Sequence, residues 1–170
     1  MSTHHLLAMP IDEHAALLMW AEYSAIHTET VTLCPDYTVE HFGDSAELAD
    51  LLLHEVIHGS KRATSELAAE FAARGEAIPR VGSHWIACDG AGNPRVILRS
   101  IELRLGDFYS ADEAFARDEG EDDRSLENWR TEHRAYWARG CAARGTVWHE
   151  SNEIVFERFR VVWPPEFADR

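Results

Sequence analysis

Residues 83–105, SHWIACDGAGNPRVILRSIELRL, decide the fold class. Two extended runs rich in branched and aromatic residues flank a cluster of Gly90, Gly92, Asn93 and Pro94. Such a cluster between two apolar runs is turn chemistry, because glycine and asparagine accept backbone angles that a strand interior does not. The stretch predicts a β-hairpin. A further run at 153–163, EIVFERFRVVW, has the same composition and predicts a strand near the C-terminus.

Outward from the hairpin the period becomes helical. On the N-terminal side, a helix is expected from about Asp12 to His27, with Ala15, Leu18, Met19 and Ile26 on one face and Glu22 interrupting it. CPDYTVEHFG (34–43) reads as an extended connector. Asp44 and Glu47 have capping-box spacing ahead of the stripe Leu48, Leu51, Leu52 and Val56, which Gly59 stops. Thr64 is expected to cap a third, short helix through Leu67, Ala68 and Phe71, ended by Gly75. Beyond the hairpin, Ser110 and Glu113 open a short helix with Phe115, and RDEGEDDRS (117–125) forms an acidic loop. Ser125 then caps a helix whose Leu126, Trp129, His133, Tyr136 and Trp137 recur at helical spacing until Gly140. Helices around a hairpin, with a strong terminal strand, give an α+β domain built on a small curved antiparallel sheet or barrel.

At 170 residues the chain fits one hydrophobic core. Its 30 acidic against 16 basic residues leave a formal charge of −14, which opposes a broad grip on duplex DNA or on an anionic membrane. Any polyanion has to be met locally. Cys34, Cys88 and Cys141 are scattered and lack metal-type spacing, so they read as reduced thiols in a cytoplasmic protein. The N-terminal MSTHHLLAMPIDEH does not read as a signal peptide, and no segment is apolar enough to cross a membrane.

Three stretches bear on chemistry. HEVIH (54–58) matches the H-E-x-x-H zinc motif literally, but Gly59 ends the helix at once, and Lys61 and Thr64 stand where the extended motif needs glycine and histidine. Two solvated histidines are expected there. GSKRAT (59–64) joins a turn to a capping threonine, which leaves backbone N–H groups beside Lys61 as a seat for an anion or a negative transition state. The acidic loop packs five carboxylates into six positions, 118–123, and admits a solvated turn, a hard divalent cation, or one glutamate acting as acid or base.

Together FGDSAELADLLLHEVIHGSKRATSEL, GEAIPRVGS with its hairpin, EGEDDRSLENWRTEH and FERFRVV resemble the ASCH domain family over about Phe42 to Val162. The resemblance implies a PUA-like curved antiparallel β-barrel flanked by α-helices. It divides the chain into an N-terminal helical extension (1–40) packed on the domain, the domain itself (41–163) and a tail (164–170). Gly59, Lys61 and Thr64 satisfy the family's Gly-x-Lys-x-x-Thr turn beside a cleft. Asp122 replaces a glycine usual in the acidic loop, and Phe156 stands where cysteine is common.

What the resemblance implies for activity is divided. It points to single-stranded RNA or a nucleoside or nucleotide as partner, foremost through metal-assisted ribonuclease chemistry in which Lys61 holds a phosphate while Glu119 or Glu121 positions Mg2+ or Mn2+. A second branch hydrolyses acetylated cytidine with a lysine, a threonine three residues later and a distant glutamate, here Lys61, Thr64 and Glu119. The third reading is a noncatalytic RNA or modified-nucleoside binder. Gly59, Ser60, Arg62, Trp85 and Ser125 are the expected substrate contacts. No organic cofactor is expected.

Overall fold

The computed structural model describes residues 8–170, so the start of the proposed extension, with the residues 1–7 weighed as a leader, lies outside the described residues. Five strands are hydrogen-bonded in the order β1 (Tyr37–His41), β3 (His84–Cys88), β4 (Pro94–Gly106), β5 (Ile154–Trp163), β2 (Ala63–Leu67). Six α-helices accompany them: α1 (Glu13–Ile26), α2 (Thr28–Leu33), α3 (Ala46–His58), α4 (Ala68–Arg74), α5 (Glu113–Glu119) and α6 (Leu126–Ala143). The result is an α+β fold with a mixed sheet. It is mixed because β1 pairs with β3 in parallel, while β3–β4 and β2–β5 are antiparallel.

The chain divides into two compact units. One comprises the residues up to Gly59 with Val81–Ile101 and Phe159–Arg170; the other comprises Ser60–Arg80 and Glu102–Arg158.

In the first unit the hairpin forms where turn chemistry places it. Asp89 closes the turn by accepting from the backbone of Ala91 and Asn93, and Gly92 holds φ +86°, which a side chain disfavours. Trp85, Ala87, Val96 and Leu98 face Phe42, Leu52, Leu53 and Val56, the latter three from α3. On the opposite face Ile86 and Ile97 meet Ala16, Trp20 and Tyr23 of α1, together with Trp163. The first helix begins where expected, with Asp12 as its cap, whereas Ser45 rather than Asp44 caps α3, accepting from Leu48 N. The stretch expected as a connector contains strand β1, whose parallel pairing is a long-range contact without a local signal.

The second unit is built around α6. Trp129, Trp137 and Cys141 pack with Phe108, Phe115, Ala116, Ile154 and Phe156. Phe156, the departure from cysteine, meets Phe115 edge-on at 5.1 Å and lies under the Arg104 guanidinium. The short helix expected from Thr64 is corrected here. Residues 63–67 form β2, with Ala63, Ser65 and Leu67 buried and Thr64 and Glu66 half-buried, and helix begins only at Ala68. Alternation of period two, enforced by pairing with β5, overrides a composition that suits a helix.

Candidate functional site

The site belongs to the second unit and is made by three pieces of chain: the turn leading into β2, the end of α5, and one face of α6. Lys61 is fully buried. Its Nζ donates to Glu121 Oε1 at 2.7 Å and to the Glu119 backbone carbonyl at 3.2 Å, and lies 3.9 Å from Glu119 Oε1. Local backbone structure makes this approach feasible. Gly120, the C-cap of α5, has φ +71°, and a Cβ there would stand 3.0 Å from the backbone of Lys61. Arg62 N also donates to the Asp118 carbonyl at 2.7 Å, which ties turn to helix end.

Glu119 is the centre of the cluster. Ser65 Oγ donates to both its oxygens at 3.3 and 3.2 Å, Trp129 Nε1 donates to Oε2 at 2.5 Å, and His133 Nε2 lies 3.1 Å from Oε1. Burial by itself raises this carboxyl's pKa, but the charges of His133 and Lys61 and the hydrogen bonds from His133 and Trp129 outweigh it and hold it below the usual range. Burial pulls His133 down, yet the facing Glu119 carboxylate prevails and raises it. Trp129 stacks on the His133 ring at 4.3 Å and Trp137 closes its edge at 5.1 Å, which fixes the imidazole.

Of the expected residues, the structure brings together Lys61, Glu119 and Glu121. Thr64 is next to Ser65 on β2 and therefore points to the other face of the strand, in register with Glu157. Arg62 is half-buried and donates to the Lys61 carbonyl at 2.7 Å. Gly59 and Ser60 are exposed. Ser125 caps α6, its Oγ accepting from Asn128 N. Trp85 belongs to the core of the first unit, edge-on to Phe42 at 4.9 Å and Phe159 at 5.7 Å, and is only 9% exposed. Ser65, Trp129 and His133 escaped the sequence reading, which took the last two as a core stripe. Their polar atoms were the signal: an indole and an imidazole one turn apart on a buried face require partners.

The carboxylates do not suit a divalent cation. Glu119 Oε2 accepts from Trp129 and Ser65, Oε1 accepts from Ser65 and lies against His133 Nε2, and the near oxygen of Glu121 is held by the Lys61 ammonium. Among the described residues no group of three or more His, Cys, Asp or Glu is placed to hold a metal ion. His54 and His58 are exposed on α3 with ring centroids 4.8 Å apart. In the loop after Gly120, Asp122 adopts φ +46°, which accounts for the glycine usual at that position; aspartate is among the few residues that tolerate it.

The sequence matches the family model of the ASCH domain over residues 38–163, and the chain belongs to that family. The fold agrees. A crystal structure of an ASCH domain from Lactobacillus crispatus JV V101 is similar with a TM-score of 0.80 and 26% identity, covering 91% of this chain and 97% of that one. A protein of Enterococcus faecalis V583 from the family DUF984 is similar with a TM-score of 0.75 and 27% identity, covering 88% of both chains. No curated protein matches the sequence. No helix among the described residues is long and apolar enough to cross a membrane.

Proposed function

We propose that this ASCH-domain protein is a hydrolase of a neutral amide on a modified nucleoside, with acetylated cytidine as the substrate class and Lys61 as the central cation. One observation carries this choice over RNA cleavage: the Lys61 charge is already cancelled at contact range by Glu121 at 2.7 Å and by Glu119. A phosphate would have to displace carboxylates from the only lysine in the chain. A neutral carbonyl oxygen needs one donor, not a surplus of positive charge.

Glu121, with its side chain 25% exposed, is the member of the cluster that meets solvent. When it turns outward, the ammonium it held can donate to the substrate carbonyl and then to the oxyanion formed there. The freed Glu121 carboxylate accepts a proton from water as the water oxygen bonds to the carbonyl carbon. Collapse breaks the C–N bond, the proton passes to the departing amine, and the products are the carboxylic acid and the free nucleoside. Glu119 keeps Lys61 charged and in place throughout. Thr64, outside the cluster on the other strand face, takes no part in this scheme.

The test incubates the protein with acetylcytidine in a chelator and, separately, with single-stranded RNA in Mg2+ or Mn2+, read by chromatography and by gel. Cytidine and acetate should appear in the chelator. RNA cleavage that needs the metal, without deacetylation, would overturn the proposal in favour of a ribonuclease, and binding of either ligand without turnover would leave a noncatalytic module.

A further inference from the structure

His133 has acceptors on both sides of its ring. Nδ1 lies 3.0 Å from the Trp129 carbonyl oxygen and Nε2 lies 3.1 Å from Glu119 Oε1. A carbonyl oxygen can only accept, so Nδ1 carries a proton. Neutral imidazole then leaves Nε2 bare, its lone pair aimed at a carboxylate oxygen. The one way to keep that arrangement neutral is to protonate Glu119 at Oε1, but Trp129 and Ser65 donate to that carboxylate and the Lys61 ammonium stands 3.9 Å from Oε1, all of which favour its charged form. The surroundings of Glu119 therefore favour the shared proton on Nε2, which gives both ring nitrogens a proton.

We infer that His133 is a buried imidazolium at neutral pH and the positioning residue of the site, fixing the Glu119 carboxylate that in turn holds Lys61. The positioning role rests on the proposed reaction; the charge assignment does not. The ring faces Glu119 at the end of α5 and, at longer range, Glu121 in the following loop, while Lys61 lies across Glu119; within α6 its polar contact is the Trp129 carbonyl. Two cations and two carboxylates thus close a set of four with no net charge. Burial disfavours the charged ring, but the Glu119 carboxylate beside it outweighs that and raises its pKa, in keeping with the geometry.

The decisive measurement is 15N NMR of the intact protein labelled at histidine, with the His133 signals assigned by their loss in His133→Gln. Both ring nitrogens should carry directly bonded protons at pH 7. One bare nitrogen would overturn the charge assignment. His133→Gln retains a donor toward Glu119 without the charge, so its kcat for acetylcytidine should fall about ten-fold with little change in KM, the scale of one charge-assisted hydrogen bond. The alkaline limb of the wild-type kcat profile should shift or vanish in the variant. An unchanged kcat and profile would overturn the positioning role. If the wild type releases no acetate while both ring protons are observed, the proposed reaction falls, the positioning role falls with it, and the imidazolium stands.

Discussion

Lys61 and Glu119, 58 positions apart, meet twice: Nζ donates to the Glu119 backbone carbonyl at 3.2 Å and stands 3.9 Å from its carboxylate. Side chain and main chain of one residue thus hold the same ammonium. Lys61 is completely buried, so it contributes to the fold as well as to the site. Lys61→Ala should destabilise the fold by about 3 kcal/mol, since a buried carboxylate loses a partner, and should abolish turnover. Arg62→Ala, which removes the hydrogen bond from Nη1 to the Lys61 backbone carbonyl among its contacts, should cost less, about 1 kcal/mol. Urea denaturation of both variants checks the order.

Trp129→Phe deletes the donor to Glu119 Oε2 while keeping most of the aromatic contact. The expected loss is about 2 kcal/mol, the range for a hydrogen bond to a charged group, and the Glu119 carboxyl should titrate at higher pH. Carbonyl 13C titration of labelled glutamate reads the second effect independently of the first.

Stability should depend on pH with a broad maximum. Glu119 is depressed on folding, so its contribution is present above its ordinary 4.5 and is lost as pH falls through the lower folded value. His133 is raised, so its contribution is full below its ordinary 6.5 and is lost as pH rises through the higher folded value. Both describe the same attraction, counted once, and it is complete between about pH 4.5 and 6.5. Melting temperatures across pH 3–9 in wild type and His133→Gln should differ most inside that window and converge on both sides of it, at low pH as Glu119 is protonated and at high pH as His133 loses its charge.

Gly120→Ala places a methyl group 3.0 Å from the Lys61 backbone at a residue with φ +71°. Strain of about 1–2 kcal/mol follows from the backbone angle alone. The crowding should also push the turn off the α5 end, so turnover should fall further than Gly75→Ala causes, a change that has the same φ but meets nothing within 4 Å. Equal effects of the two substitutions on activity would show that the contact is immaterial.

Chelator should leave the melting temperature unchanged, and protein purified without a tag should contain no stoichiometric zinc. The literal HEVIH match supplies two exposed imidazoles and no third ligand among the described residues. One zinc per chain, lost in the His54→Ala, His58→Ala double variant, would restore the metal motif.

What could be read in advance was what is local. The hairpin, the Ser125 cap and the stripe on α6 follow from turn chemistry and period, and each stands where it was expected apart from α6 running past Gly140 to Ala143. β2 was not legible, because ATSEL continues into an alanine-rich helix and only its pairing with β5 makes it alternate. In the site, Lys61 and Glu119 were reached through motif resemblance. Ser65 was not, since nothing in SEL announces that its hydroxyl will turn toward a carboxylate from a distant helix end, and the polar atoms of Trp129 and His133 signalled a need for partners without saying which carboxylate would supply them.

Two positive and two negative groups within a few ångströms form an electrical quadrupole whose potential fades quickly with distance. The site therefore cannot pull a ligand from solution, and in a chain of charge −14 any anion is repelled before it arrives. Encounter is left to unaided diffusion of an uncharged molecule. Its rate should be nearly indifferent to added salt, in contrast to the steep salt dependence of a protein that gathers phosphates.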